Sequence, residues 1–101
     1  MGMSSAERLR TAVAALMHVT GDTQAGIAEV LGVDPTQVSR RQSGAAAWSL
    51  DDCDAIAGHF GIGVLDLLAG PTRACESLPA GRRRTVPRRR GAETAAKGAA
   101  R

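Results

Sequence analysis

The sequence predicts a small all-α domain. Apolar residues recur at three- and four-residue intervals within short segments that end in glycine, and this is the spacing of one face of a helix. With one Trp, one Phe and no Tyr among 101 residues, the core must consist of Leu, Ile, Val, Met and Ala. This composition favours a helical bundle over a β-sandwich, whose strands are rich in β-branched and aromatic residues. The length allows one domain of this kind, in which we expect five helices.

The first helix is predicted to begin after a serine cap at Ser4 or Ser5 and to end near Val19. Glu7 lies in its first turn, where the helix dipole favours an anion. One face of this helix is formed by Leu9, Val13, Leu16, Met17 and Thr20.

The second helix is predicted to begin at Gln24, with Thr23 as its cap. Ile27 and Leu31 lie four residues apart and therefore share a face of this helix. Gly32 then ends the helix, because glycine tolerates the left-handed conformation of a helix C-terminus.

The third helix has a compact start signal. Asp34 is predicted to cap it, Pro35 suits its first position, and Gln37 can reach back to complete a capping box. We expect Val38 to point inward against the second helix. Three polar side chains then face outward: Thr36, Ser39 and Arg40.

The fourth helix is predicted to begin after Ser49, with Asp52 completing a capping box. Trp48 and Cys53 stand at the two ends of a predicted hydrophobic staple. The inward face is predicted to consist of Leu50, Cys53, Ile56, Ala57 and Phe60.

A fifth, short helix is predicted from Val64 to Ala69, stopped by Gly70 and Pro71. Beyond it the apolar periodicity is lost, and Arg, Ala, Gly and Pro dominate, which is the composition of a disordered segment. We therefore expect a folded domain over residues 1–70 and an Arg-rich, disordered tail over residues 71–101.

Charge is distributed unevenly between these two parts. Residues 1–70 hold four basic and eight acidic side chains, a net charge of −4, whereas residues 71–101 hold nine and two, a net charge of +7. This asymmetry indicates a polyanionic partner. Two arginine triplets of the tail are candidate phosphate contacts, and a solvated, solubilising extension is the alternative; the triplets are Arg82, Arg83, Arg84, Arg88, Arg89 and Arg90.

No sequence pattern indicates an enzyme, a metal site or a membrane protein. Because there is no nucleophile–base pair, metal-ligand spacing or phosphate loop, we expect no catalytic residue, metal or cofactor. Cys53 and His59 fall on different faces of a helix, which argues against a metal site. The two cysteines form no C-x-x-C motif or disulfide framework, which predicts a cytoplasmic protein. The apolar stretch 12–19 is too short to span a bilayer.

The segment 24–44 resembles the helix-turn-helix of the lambda-repressor/Cro-like family of DNA-binding proteins (the xenobiotic-response-element type). The resemblance rests on residue types at fixed offsets, namely Gln24, Ala28, Gly32, Val38, Ser39, Arg40 and Gly44. One position departs from the family's pattern, because Arg41 stands where an apolar residue is usual. Either Arg41 extends toward a phosphate with its stem over the core, or the third helix packs loosely. The order of the helices extends the resemblance to residues 9–70.

The resemblance implies a sequence-specific transcriptional regulator, a repressor that binds double-stranded DNA at a short operator as a homodimer. Helix 35–42 would enter the major groove, and the family's base-contacting positions are here Pro35, Thr36, Ser39 and Arg40. Arg40 is the strongest candidate for specificity, because a guanidinium can pair bidentately with guanine. The DNA backbone would be contacted by Thr23, Gln24, Gln37, Arg41 and Gln42.

Two other functions stay open. An antitoxin can use the same domain for autoregulation while its tail folds onto an acidic toxin. A protein-binding adaptor can keep the fold without contacting DNA. For the homodimer, the last predicted helix and Trp48 are the expected contact surface.

Overall fold

The computed structural model describes residues 3–82. Within that range the chain forms six α-helices, a closing 3-10 turn over Ala80–Arg82, and no strand. The predicted all-α class is therefore confirmed, but the predicted number of five helices is wrong. The helices are α1 Ser5–Thr20, α2 Gln24–Leu31, α3 Pro35–Ser43, α4 Leu50–Phe60, α5 Val64–Leu68 and α6 Pro71–Glu76.

Reciprocal capping fixes the starts of α1 and α4. Ser4 Oγ accepts a hydrogen bond from the Glu7 backbone N–H at 3.1 Å, and the Glu7 carboxylate accepts one from the Ser4 N–H at 3.0 Å. Ser49 and Asp52 form the same pair of bonds, at 2.9 and 3.0 Å. Each box satisfies N–H groups that have no partner inside the helix. The caps predicted at these two helices are confirmed.

The start of α3 differs from its prediction. Asp34 is the N-cap residue and Pro35 lies in the first turn, but the Asp34 side chain makes no capping hydrogen bond, and no capping box forms with Gln37. The fixed φ of Pro35 and the burial of Val38 are what hold this end of the helix. The side chains of Asp34 and Gln37 are both exposed to solvent.

One apolar core joins all six helices. α1 packs against α3, α5 and α6, while α2 packs against α3 and α4. Fully burying a Leu, Ile, Val or Phe side chain contributes about 1.5–3 kcal/mol. The largest fully buried side chains include Phe60, Leu16, Ile27, Ile56 and Leu67.

The additional helix α6 corrects the predicted end of the fold at residue 70. Gly70 follows Ala69, the C-cap of α5, and is itself the N-cap of α6; with φ of 114° it turns the chain into α6, whose first turn contains Pro71. The same Gly-Pro pair therefore acts as a stop and as a start, because proline is well suited to the first helical position. Ala74 and Leu78 are buried, so residues 71–82 belong to the packed unit. The rest of the predicted tail lies outside the described residues.

Leu50 corrects the predicted inward face of α4. Its side chain is 79% exposed, whereas Cys53, Ile56 and Phe60 are buried as predicted. Leu50 is the first residue of α4, and helical side chains point back toward the N-terminus. Its side chain therefore projects past the end of the helix instead of into the core.

Neither a membrane-spanning helix nor a metal cluster occurs in the part of the chain that the structure describes. No helix within residues 3–82 has the length and apolar character needed to cross a bilayer. The same residues contain no group of three His, Cys, Asp or Glu side chains arranged to hold a metal ion.

Candidate nucleic-acid interface

A tight turn holds α3 against α2. Gly32 adopts a left-handed conformation with φ of 72°, and the Val33 N–H donates to the Ala28 carbonyl at 3.0 Å. Val38 and Ile27 are fully buried, and the small side chain of Ala28 is 2% exposed. These apolar contacts fix the inner face of α3, so the orientation of its outer face is fixed as well.

The outer face of α3 is exposed and polar. Thr36, Ser39 and Arg40 are exposed, as predicted, and so is Pro35. Within residues 3–82, the side chains of Thr36, Ser39 and Arg40 form no hydrogen bond or ion pair with another residue. Two hydroxyls and one guanidinium are therefore available on this face to donate or accept hydrogen bonds.

The N-terminus of α2 lies at one end of this face. Thr23 Oγ1 accepts a hydrogen bond from the Gly26 N–H at 3.0 Å, which confirms Thr23 as the cap. The first N–H groups of a helix have no partner inside it, and here those of Gln24 and Ala25 stay unbonded within the described range. Such a helix end favours an anion.

Gln24 is held in place by Gln42, near the C-terminus of α3. Gln24 Nε2 donates to Gln42 Oε1 at 2.9 Å, and Gln42 Nε2 in turn lies 3.3 Å from Met17 Sδ on α1. Gln42 is half-buried, whereas Gln24 is exposed. The predicted backbone contact of Gln42 needs correction, because the amide of this residue orients Gln24 instead of extending outward.

Arg41 is bound inside the domain. Its Nε lies 3.3 Å from Asp52 Oδ2, its guanidinium carbon lies 6.0 Å from the centre of the Trp48 ring, and its side chain is 18% exposed. Asp52 also caps α4, so this contact ties the end of α3 to the start of α4. The structure therefore does not place Arg41 toward a phosphate, as the sequence suggested, but against α4.

The three residues Asp22, His59 and Arg82, called here the exit corner, meet where the described chain ends. His59 Nε2 lies 3.0 Å from Asp22 Oδ2, and Arg82 Nη2 lies 3.6 Å from the same oxygen. Arg82 Nη2 also donates to the His59 carbonyl at 3.1 Å. Arg82 is thus held by the domain rather than free as a tail contact. Of the predicted phosphate contacts in the tail, those outside the described residues are Arg83, Arg84, Arg88, Arg89 and Arg90.

The exit corner was not predicted from the sequence, because its three residues are far apart along the chain. Asp22 and His59 are separated by 37 residues, and Arg82 and His59 by 23. Residues this far apart share no local sequence pattern. They come together only because α4 and the segment after α6 pack against the rest of the bundle. A charged residue directly before a helix cap, as Asp22 is, was the only hint in the sequence.

Two titratable groups are perturbed, and both lie outside α2 and α3. Burial raises the pKa of the Cys53 thiol above its ordinary value, and the carboxylates of Asp52 and Asp54 raise it further. Cys53 is therefore a protonated, unreactive thiol at neutral pH. The hydrogen bond from Arg73 lowers the pKa of the Asp66 carboxyl. Neither shift creates a nucleophile or a general base next to α3.

The net charge of the described residues is unfavourable for binding a polyanion. Residues 3–82 contain six basic and nine acidic side chains, a net charge of −3. Glu29 on α2 and Asp34 at the cap of α3 are exposed. Arg40 is the exposed cation of α3 and is therefore the group best placed on that helix to attract a phosphate or a base.

Comparison with known proteins supplies a family. The chain matches the BetR domain over residues 3–98, a range that includes all six helices and most of the basic segment that follows them. Searches of curated proteins and of solved structures found no match. Since the matched range is nearly the whole chain, this protein belongs to the BetR domain family.

Proposed function

We propose that this protein is a sequence-specific DNA-binding regulator of transcription, a repressor that inserts α3 into the major groove of a short operator. The observation that supports this best is the outer face of α3, where the side chains of Thr36, Ser39 and Arg40 are exposed and form no hydrogen bond or ion pair within residues 3–82. Unbonded polar groups on one side of a rigidly held helix are what the reading of base edges requires.

Each exposed side chain of α3 suits a different base feature. The Arg40 guanidinium can donate two hydrogen bonds to guanine O6 and N7, the most specific contact available in the major groove. Thr36 and Ser39 can each exchange a hydrogen bond with a base edge, and the Thr36 methyl can pack on thymine. Pro35 has no polar side chain, so it contributes only apolar contact.

The N-terminus of α2 is the proposed phosphate contact that sets the register of α3. Gln24 lies there with its amide held by Gln42, next to the unbonded N–H groups of Gln24 and Ala25. A phosphate bound at this point would stop α2 and α3 from sliding along the groove. Gln37, which is exposed, is the other proposed backbone contact on α3.

A homodimer is proposed because one such domain covers only a few base pairs. Two copies would bind half-sites about 34 Å apart, one helical turn of DNA. Leu65 at the start of α5 is 78% exposed, which makes α5 the preferred contact surface, and Trp48 is half-buried. An apolar side chain left in water is a common feature of an interface.

A protein-binding adaptor is the second candidate function. Leu50 is 79% exposed at the start of α4, and Asp51 and Asp54 beside it are exposed as well. An apolar side chain flanked by carboxylates suits a basic protein surface better than it suits DNA.

Selection of duplexes from a random DNA library with the full chain tests the proposal. A regulator enriches a defined site, and Arg40→Ala should then weaken binding to that site by about 1–3 kcal/mol. Arg73→Ala is the matched control, since Arg73 is an exposed arginine on α6, which packs against α1 and α5. Enrichment of no site would favour the adaptor instead. Equal binding of the Arg40→Ala and parent proteins to selected and scrambled duplexes would refute the assigned face.

A further inference from the structure

We infer that Arg10, on α1, is a further DNA phosphate contact, placed at the C-terminal end of the outer face of α3. This inference rests on the proposed function and adds to it a residue that lies outside the helix-turn-helix segment 24–44. The register of α3 in the groove would then be set by phosphate contacts from α1 as well as from α2.

Arg10 brings a second guanidinium to the end of the outer face of α3. Its Cζ and Nη1 lie 3.5 Å from the position that a Cβ would take on Gly44, the C-cap of α3. Thr36, Arg40 and Gly44 follow one another at four-residue intervals, and such residues lie on one side of a helix. Gly44 lies about 6 Å beyond Arg40 along the axis, since a helix rises about 1.5 Å per residue. The Arg10 guanidinium therefore continues the side of α3 on which Arg40 lies.

Arg10 has no acidic partner, unlike half of the arginines in the described chain. Of the six arginines in residues 3–82, three form ion pairs: Arg41, Arg73 and Arg82. The other three form no hydrogen bond or ion pair within the same residues: Arg8, Arg10 and Arg40. Arg8 lies elsewhere, with its Cδ 3.9 Å from the position of a Cβ on Gly70, between α5 and α6. Within residues 3–82, Arg10 and Arg40 are thus the two unpaired cations next to α3.

The nitrogens of Arg10 are accessible to solvent although the residue is half-buried. Arg41 Nε and Nη1 are buried, whereas no nitrogen of Arg10 is. Leu9 and Val13 are buried on the inner face of α1, so the core holds the backbone of Arg10 in place. The half-buried stem limits the freedom of the side chain, and less conformational entropy is lost when its head binds. A guanidinium held in this way, with all its donors unused, suits a phosphate.

Capping of α3 is the alternative role for Arg10, because a cation is favourable at a helix C-terminus. However, Arg10 donates no hydrogen bond to any carbonyl of α3. In that last turn the Arg40 carbonyl instead accepts from Ser43 Oγ at 3.0 Å and from the Ala46 N–H at 3.1 Å. The Arg10 donors are therefore left for a ligand, and the anion that lies beside a helix in the major groove is a backbone phosphate.

Ethylation interference tests this inference, because it shows which phosphates a protein must contact. The selected duplex is ethylated sparsely at its phosphates, bound by the parent or by Arg10→Gln, and the bound and free fractions are compared. We expect one phosphate in each half-site, close to the guanine assigned to Arg40, whose ethylation weakens binding of the parent and has no effect on Arg10→Gln. A capping role would instead weaken binding without removing any single phosphate from the pattern.

Affinity gives a second measurement on the same variant. Binding of Arg10→Gln should be about two- to fivefold weaker than that of the parent, the range of an exposed ion pair. The loss should be the same on selected and scrambled duplexes, because a phosphate contact carries no base preference. The slope of log affinity against log salt should become shallower by about 0.9 for each Arg10 contact that is lost.

Arg8→Gln is the matched control for Arg10→Gln. Arg8 is likewise an unpaired, half-buried arginine of α1 within residues 3–82, but its side chain lies near Gly70. The interference pattern of Arg8→Gln should equal that of the parent. Arg10→Lys should keep the phosphate in the pattern, since it retains the charge. If Arg10→Gln does not fold, Arg10→Met takes its place, because it keeps an unbranched stem without the charge.

The outcomes separate this inference from the function beneath it. An interference pattern that Arg10→Gln leaves unchanged, or that Arg8→Gln alters in the same way, would overturn the inference. Loss of folding in both Arg10→Gln and Arg10→Met would assign Arg10 to the fold and overturn it as well. If the parent enriches a duplex and Arg40→Ala weakens its binding in these cases, the proposed function survives alone. If the parent enriches no duplex, both fall.

Discussion

Arg40 and Arg41 are neighbours in the sequence, but they belong to two regions that use polar side chains in opposite ways. On the outer face of α3, the Arg40 side chain is exposed and forms no hydrogen bond or ion pair within residues 3–82. At the junction of α3 with α4, Arg41 is 18% exposed and binds Asp52. Polar groups bonded inside the domain fix its shape, whereas those left unbonded are available to another molecule. A residue type alone therefore does not identify a binding residue.

The largest expected effect is on stability, and it follows from truncating the buried side chain of Leu78 in the segment after α5. Leu78→Ala is expected to lower the free energy of unfolding by about 2–5 kcal/mol, because it leaves a cavity where a buried side chain packed. Leu65→Ala, at a position 78% exposed, should change stability by less than about 0.5 kcal/mol. Chemical denaturation of both variants measures the difference. Equal effects would contradict the assignment of residues 71–82 to the packed unit.

The next largest expected effect is on affinity for DNA, and it follows from removing the basic segment, residues 83–101. The cut belongs after Arg82, because a cut at residue 71 would also remove α6 and the buried Ala74 and Leu78. Deleting residues 83–101 should leave stability unchanged and weaken binding to all duplexes alike. The slope of log affinity against log salt should become shallower by about 0.9 for each phosphate that the segment neutralises in the full chain. A slope identical to that of the full chain would mean that the segment is only a solvated extension.

Arg40 and Arg41 should respond to substitution in opposite ways. Arg41→Ala leaves the half-buried Asp52 without its cation and should cost about 1–3 kcal/mol of stability, with base preference retained. Arg40→Ala should change base preference and leave stability within about 0.5 kcal/mol. Thermal denaturation and duplex binding of the two variants give the comparison. Loss of base preference in Arg41→Ala alone would reverse the assignment.

The smallest expected effect is a change in how stability depends on pH, and it comes from the exposed ion pair of Asp66 and Arg73. Because the folded protein has the lower Asp66 pKa, the pair stabilises the fold above the ordinary value of 3.8, and this contribution disappears as pH falls through the folded pKa. The Arg73 side chain is 62% exposed, so the change is small. Denaturation of Asp66→Asn as a function of pH should show a flatter acid limb than the parent. An unchanged acid limb would mean that the pair contributes nothing.

The sequence predicted those parts of the fold that depend on local signals. The serine cap of α1, the capping box at Ser49 and the ends of α2 follow from residues within one helical turn, so they appear as predicted. α6 was not predicted because Gly70 and Pro71 are equally a stop and a start, and because Leu78 stands in a stretch of the sequence without apolar periodicity. Ala74 and Leu78 are buried in a core shared with the other helices, and α6 packs against α1 and α5, so the end of the fold is set by tertiary packing.

In the candidate site, too, the sequence predicted the residues whose placement depends on local signals and not those whose placement depends on tertiary contacts. The exposure of Thr36, Ser39 and Arg40 follows from helical periodicity around the buried Val38, and the structure agrees with it. The internal roles of Arg41, Gln42 and Arg82 depend on side chains that lie far away in the sequence: Asp52, Gln24, Met17, Asp22 and His59. Such interactions are set by tertiary structure, so sequence spacing could not have identified them.

Methylation interference at guanine N7 tests the central claim most directly, since it asks whether Arg40 reads a base. The selected duplex is methylated sparsely at guanines, bound by the parent or by Arg40→Ala, and the bound and free fractions are compared position by position. We expect one guanine in each half-site whose methylation blocks binding of the parent and has no effect on Arg40→Ala, while the other interfering positions stay the same in both proteins. Identical interference patterns for the two proteins would contradict it.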